Sequence, residues 1–253
     1  MRNSWLVRFE KVHRPRVRLF CFPYAGGGTT VFRSWSGRLP KDVELIAIQL
    51  PGRESRIREP LITDIGALTD EICRALEPFH GDACVFFGHS LGGLVSFEVA
   101  RKLRSSNRPR QDLRGLIVSG SPAPQMRTQG NSIHDLPHDQ FIEKIRNLNG
   151  TPQEILDHQE IMELVLPILR ADFQVADQYR YVPAAPLDIP IHAFYGEEDD
   201  VQQDRLYGWK EQTTSRFSTT AFPDGHFFIN SRRSAVLEAV NKELERILTE
   251  CSP

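Results

Sequence analysis

The sequence has few cysteines, no long apolar run and no excess of charge of either sign. Its four cysteines, Cys21, Cys73, Cys84 and Cys251, are spread over 253 residues. None are spaced as C-x-x-C and none stand near histidines at metal-ligand spacing, so neither a metal site nor a disulfide framework is indicated. Cys21 and Cys84 lie in apolar runs, where a reduced thiol packs as a small hydrophobe, and this usage favours a reducing, cytoplasmic setting. No window approaches the roughly eighteen uninterrupted apolar residues of a membrane span. The first five residues lead into charged ones rather than the apolar core of a signal peptide. With 31 basic against 33 acidic side chains the net charge is −2, and no basic tract points to nucleic acid. Repeats, heptads and low-complexity tracts are also missing, so nothing suggests a structural or scaffolding role, and a monomer is the default expectation.

What is there reads as an α/β protein. Apolar residues make up 40% and charged residues 25% of the chain, enough for a sizeable core in one domain spanning 1–253. Short β-compatible runs occur at 17–22, 43–48, 83–87, 115–119, 189–195 and 217–222. The run 83–87 is apolar throughout, which suits a central parallel strand covered on both faces. Helical patterns fall between the runs, at 65–76 with Asp64 as N-cap and Pro78 beyond, at 94–103 and at 233–248. This alternation predicts a mostly parallel sheet with helices on both faces. Residues 122–186 break the rhythm: helical stretches are expected at 139–148, at 155–170 interrupted by Pro167, and at 171–181. That block reads as a helical lid inserted over one edge of the sheet.

Gly88-His89-Ser90-Leu91-Gly92 matches G-x-S-x-G. Composition alone would produce the pattern in roughly one chain in ten of this length, so its context decides. It follows an apolar strand and opens an amphipathic helix, the setting in which a strained strand-to-helix turn lifts a serine oxygen clear of the sheet. Only small residues two positions away avoid collision with that turn. Ser90 is therefore the candidate nucleophile.

A serine hydroxyl needs a base, and the base an acid to hold it, in the chain order Ser, Asp or Glu, His. Of the eight histidines, His226 alone lies between the last predicted strand and the last helix, after Gly225, which can free the backbone to present the ring. His89 should point away from the nucleophile, and His134, His138 and His158 belong to the lid. For the acid, the strand ending at Tyr195 runs into Gly196-Glu197-Glu198-Asp199-Asp200. Asp199 is the choice, with Asp200 as competitor because one residue of turn would exchange them. Two N–H donors are expected for an oxyanion, from the backbone of Leu91 and from that of Ala25 in the glycine-rich bend Tyr24-Ala25-Gly26-Gly27-Gly28. No lysine-serine pair follows those glycines, so a phosphate cradle is a poor reading of them. This chemistry calls for no metal or organic cofactor.

Taken together, several blocks go further than a general hydrolase. Phe22 to Gly28 with Phe32 and Trp35, then Gln49-Leu50-Pro51-Gly52-Arg53-Glu54-Ser55-Arg56, Gly88 to Gly93, Arg170-Ala171-Asp172-Phe173 and Gly225-His226-Phe227-Phe228 resemble, in order, the type II thioesterases that accompany nonribosomal peptide and polyketide synthases. Tyr24 departs from the His that many members carry. The resemblance implies an α/β-hydrolase fold and a stand-alone editing enzyme that removes acyl or aminoacyl groups from the phosphopantetheine thiol of acyl- or peptidyl-carrier proteins. A medium-chain acyl thioesterase acting with a fatty acid synthase is similar in pattern. A carboxylesterase would use the same triad, and a non-catalytic binding protein would not need it. Ile161, Leu164, Leu166 and Phe173 are expected to line an acyl chamber, and Arg53, Arg56, Arg58 and Arg127 to steer an acidic carrier domain.

Overall fold

The computed structural model describes residues 4–105, 112–127, 132–148, 158–201 and 203–250. Its centre is a seven-stranded sheet: β1 (Leu6–Arg8), β2 (Val17–Phe22), β3 (Val43–Ile48), β4 (Ala83–His89), β5 (Asp112–Ser119), β6 (Ile191–Gly196) and β7 (Phe217–Phe222). The spatial order is β1-β3-β2-β4-β5-β6-β7. Every pairing is parallel except β1 against β3, where Leu6 faces Ile48 and Arg8 faces Ile46. The antiparallel edge strand was not expected from the sequence: three residues are too few to show a period.

The helices are α1 (Ile65–Leu76), α2 (Leu91–Ser105), α3 (His138–Asn147), α4 (Gln159–Asp177), α5 (Gln203–Tyr207), α6 (Phe228–Ser231) and α7 (Arg233–Glu250). Asp64 caps α1, its side chain accepting from the Ala67 N–H at 2.7 Å, which satisfies one of the donors a helix start leaves open.

The two-residue period of the strands sorts their continuous apolar runs onto two faces. Phe20, Phe22, Ile46, Ile48 and Phe86 pack with Leu68 and Ile72 of α1 and Leu94 and Val95 of α2. Leu19, Cys21, Leu45, Ala47, Val85 and Phe87 pack on the opposite face with Val236, Val240 and Leu244 of α7. A parallel sheet covered on both sides needs apolar residues at every position, and this is why the strands do not alternate. Burial pushes the Cys21 and Cys84 thiols up, so both stay protonated packing groups.

Between β5 and β6 the described chain carries α3 and α4, which share a small core of Phe141, Ile145, Met162, Leu166 and Leu169. The expected break at Pro167 does not occur: α4 runs unbroken from Gln159 to Asp177 with Pro167 inside it. Proline removes the bond to the Glu163 carbonyl, but Leu166, Ile168, Leu169, Ala171 and Val175 are all buried, and that packing keeps the helix continuous. The expected helical residues 155–157, like Cys251, lie outside the described residues.

Candidate active site

The elbow is built by close backbone approach. Ser90 has φ of +55°, a left-handed conformation that costs a residue with a β-carbon roughly 1–2 kcal/mol. A β-carbon on Gly92 would lie 2.1 Å from the Phe22 carbonyl oxygen, and one on Gly88 2.1 Å from that of Gly92. The glycines are thus required by contact. The Ser90 N–H donates to the Ser119 carbonyl at 2.7 Å, tying the elbow to the end of β5.

Opposite it, two loops are joined. Glu197 N–H donates to Phe222 O and Glu198 N–H to Asp224 O, and a β-carbon on Gly196 would strike the Asp224 carbonyl oxygen at 2.3 Å. The glycine the loops demand is therefore Gly196. A β-carbon on Gly225 would meet nothing nearer than 4.0 Å. In this setting His226 Nδ1 lies 2.8 Å from Asp199 Oδ2. The other carboxylate oxygen accepts from the Val201 N–H at 3.1 Å, and the Asp199 side chain is only 2% exposed. Asp200 is exposed and lines the neighbouring cavity.

His89 points beneath the site. It is fully buried, with Nδ1 2.9 Å from Ser119 Oγ and its ring 5.2 Å from that of His226. Burial, reinforced by His226, holds its pKa well below the usual imidazole range and leaves the ring neutral. His226 is further packed edge-on against Phe227, which also meets Tyr24.

Ser90, Leu91, Ala25 and His226 all border one cavity of about 360 Å³. Leu91 is the first residue of α2, so its N–H is among the four a helix leaves without an intrahelical acceptor. In the bend before it, Gly27 N–H donates to Tyr24 O and Gly26 N–H to Asp172 Oδ2 at 2.7 Å. Among the described residues the Ala25 N–H has no acceptor of its own. Apolar wall residues include Ile145 of α3, Leu148 just past its end, and Leu169, Phe173 and Ala176 of α4. Of the four apolar residues expected there only Phe173 is present: Leu164 is 64% exposed and Ile161 38%, while Leu166 is committed to the α3–α4 core.

Sequence reasoning missed the role of Arg53. It is buried and makes a bidentate pair with Asp172 of α4, Nη1 to Oδ2 at 2.6 Å and Nη2 to Oδ1 at 2.8 Å. Nη1 also donates to Gly27 O at 3.1 Å. One buried ion pair thereby joins the 51–54 loop, the glycine-rich bend and α4. Arg56 is buried as well, paired with Glu59 and donating to Gln49 O. Neither guanidinium is on the surface to steer a partner, contrary to expectation. Glu54 closes the same corner: burial opposes its charge, but bonds from the N–H and hydroxyl groups of Thr29 and Thr30 outweigh this and lower its pKa.

Among the described residues no helix is long and apolar enough to cross a membrane, and no three His, Cys, Asp or Glu side chains are grouped to hold a metal.

The geometry can be set beside known proteins. A family model described as a thioesterase domain matches residues 17–244. The gramicidin S biosynthesis protein GrsT of Aneurinibacillus migulanus is 39% identical, covering 97% of this chain and 96% of its own. The type II thioesterase BorB from the borrelidin biosynthetic cluster superposes with a TM-score of 0.87 at 30% identity, over 95% of this chain and 98% of its own. The thioesterase RedJ from the prodiginine pathway of Streptomyces coelicolor gives 0.84 at 35% identity, over 90% and 86%.

Proposed function

The chain belongs to the thioesterase family, and on that premise we propose that it is a stand-alone type II thioesterase hydrolysing acyl or aminoacyl thioesters on the phosphopantetheine arm of carrier proteins. The names of its relatives favour nonribosomal peptide or polyketide synthesis as the setting. The observation that carries the chemical reading is the 2.8 Å bond between His226 and Asp199 beside a cavity bordered by the strained Ser90.

In the proposed cycle Ser90 Oγ attacks the thioester carbonyl while His226 Nε2 takes its proton. Asp199, bonded to Nδ1, fixes the tautomer and stabilises the cationic ring. The N–H groups of Ala25 and Leu91 receive the oxyanion, preorganised so that no reorientation is needed as charge develops. The tetrahedral intermediate expels the pantetheine thiolate, which takes the proton from His226. Water, deprotonated by His226, then attacks the acyl-serine, and the second intermediate collapses with release of the acid as Ser90 Oγ leaves and takes the proton back from His226. Residues 122–186 act as a lid within a single domain, with α3 and α4 enclosing the acyl group.

The test compares an acyl group on a phosphopantetheinylated carrier protein with the same group on an oxygen ester, using wild type and Ser90→Ala. Release from the carrier that is faster than from the ester, and lost in Ser90→Ala, is the expected result. A preference for the oxygen ester would move the assignment to a carboxylesterase, and turnover that survives Ser90→Ala would remove the serine mechanism.

A further inference from the structure

One charge in the cavity wall has no part in the cycle above. Arg127 lines the same space as Ser90 and His226. Its Nη2 donates to the neutral Ser121 hydroxyl at 3.1 Å, and its Nε is buried without an acceptor. Among the described residues no carboxylate lies within ion-pair distance of it. Asp177 is near enough to be felt, yet its Oδ2 already accepts from the His134 backbone N–H at 3.0 Å and lies 2.9 Å from that ring's Nδ1. Burial lowers the Arg127 pKa to about 10, with Tyr179 and Asp177 opposing, so the group is still cationic at neutral pH.

Lys144 and Arg205 border the cavity too, again without a carboxylate partner among the described residues. Against these three cations the wall holds Asp177, committed to His134, and Asp200, which faces solvent. Arg127 is half-buried, and a guanidinium whose Nε is shut from solvent and whose one partner is neutral is costly unless an anion joins it. The planar fork left open matches the paired oxygens of a carboxylate or a phosphate.

We infer that Arg127 anchors an anion subsite inside the cavity, taking the oxygens of a carboxylate or phosphate carried by the substrate, with Lys144 and Arg205 adding to the field. This rests on the thioesterase reading. Two parts of a substrate could supply the group: an acyl chain ending in a carboxylate, or the phosphate of the pantetheine arm.

The experiment measures kcat/KM for malonyl, succinyl and glutaryl thioesters beside their uncharged branched isosteres, isovaleryl, 4-methylpentanoyl and 5-methylhexanoyl. Each is presented on N-acetylcysteamine, which lacks phosphate, and on coenzyme A, which has it. Wild type, Arg127→Met and Arg127→Lys are compared. A fall of about tenfold or more in the diacid-to-isostere ratio of Arg127→Met, partly restored in Arg127→Lys, identifies the acyl carboxylate. A similar fall in the coenzyme A-to-N-acetylcysteamine ratio, equal for charged and uncharged acyl groups, identifies the phosphate. If neither ratio moves in either variant, the inference is wrong. Ser90-dependent hydrolysis of the uncharged isosteres tests the underlying thioesterase reading separately.

Discussion

Replacing Asp172 by leucine strips Arg53 of its partner while leaving the guanidinium buried; Arg53 is 5% exposed and Asp172 3%. Breaking a buried, bidentate pair by removing one member costs about 3–5 kcal/mol, because the remaining charge is uncompensated. That is a large part of the 5–15 kcal/mol or so that holds a typical domain together. At roughly 2–4 °C per kcal/mol for a chain of this size, Tm should fall by about 6–20 °C. The same change removes the acceptor of the Gly26 N–H, one residue from the proposed oxyanion donor Ala25. A displacement of that bend on the order of an ångström lowers kcat about tenfold to a hundredfold. The two effects separate in Arg53→Met/Asp172→Leu. With both charges gone, apolar packing restores most of the stability, but the Gly26 N–H still has no acceptor and kcat stays low. Urea unfolding followed by circular dichroism gives the first quantity, and turnover of pentanoyl-N-acetylcysteamine the second. A loss below about 1 kcal/mol in Asp172→Leu would refute the burial argument. Wild-type kcat in the double variant would show that Asp172 does not hold the bend.

Asp199→Asn should reduce kcat by about 10³–10⁴-fold through the wrong His226 tautomer, whereas Asp200→Asn stays within about tenfold; the reverse order would reassign the acid. Ser90→Gly should be more stable than Ser90→Ala by roughly 0.5–1 kcal/mol in urea, since only the alanine keeps a β-carbon at φ of +55°, and that strain exceeds the entropy glycine loses on folding; a Ser90→Ala variant the more stable by about that much would mean the elbow carries no strain. Because the folded-state pKa of His89 is held below its ordinary 6.5, the unfolded chain takes up a proton that the native ring refuses. This contribution is therefore complete above about pH 6.5 and falls by about 1.4 kcal/mol per pH unit as acidification proceeds toward the folded pKa. Unfolding free energies between about pH 6.5 and 5 should show that slope in wild type and lose it in His89→Phe; an unchanged slope would mean that His89 is protonated in the native state.

Local patterns carried most of the fold and the core of the site. The strands at 17–22, 43–48 and 217–222 coincide with expectation, because a buried parallel strand must be apolar along its length. Others grew at their ends: β4 extends to His89 and β5 begins at Asp112, where backbone pairing continues past the apolar run. Chain order at the strand ends pointed to Ser90, to His226 and to the turn that carries Asp199 and Asp200, and left the choice between those two carboxylates open; the 2.8 Å contact with His226 favours Asp199. Arg53 was not legible. Its partner Asp172 is 119 residues away, and an arginine in a Pro-Gly loop looks the same whether it faces water or a carboxylate. Pro167 misled for a related reason: helix breaking is a local preference, and the burial that overrides it is tertiary.

The Arg53–Asp172 pair also constrains how the cavity can admit a substrate. α4 supplies Leu169, Phe173, Ala176 and Asp177 to the cavity wall, and Asp172, within the same turns, braces the glycine-rich bend. Swinging that helix away from the sheet would hydrate the ion pair and release the Gly26 N–H together, so the wall and the proposed oxyanion loop would be lost at once. α3 is held differently. Phe141 and Ile145 pack on α4, the Arg170 guanidinium lies 4.3 Å from the centre of the Phe141 ring, and the segment just before α3 is tied to α4 by Arg170 donating to the carbonyls of His134 and Leu136 and by His134 on Asp177. Apolar contacts are non-directional and tolerate sliding better than a bidentate pair does. On the lid reading proposed above, accommodation of acyl groups of different size therefore falls to the end of α3 near Ile145 and Leu148, beyond its anchored start, while α4 stays docked and keeps the proposed oxyanion donors in place.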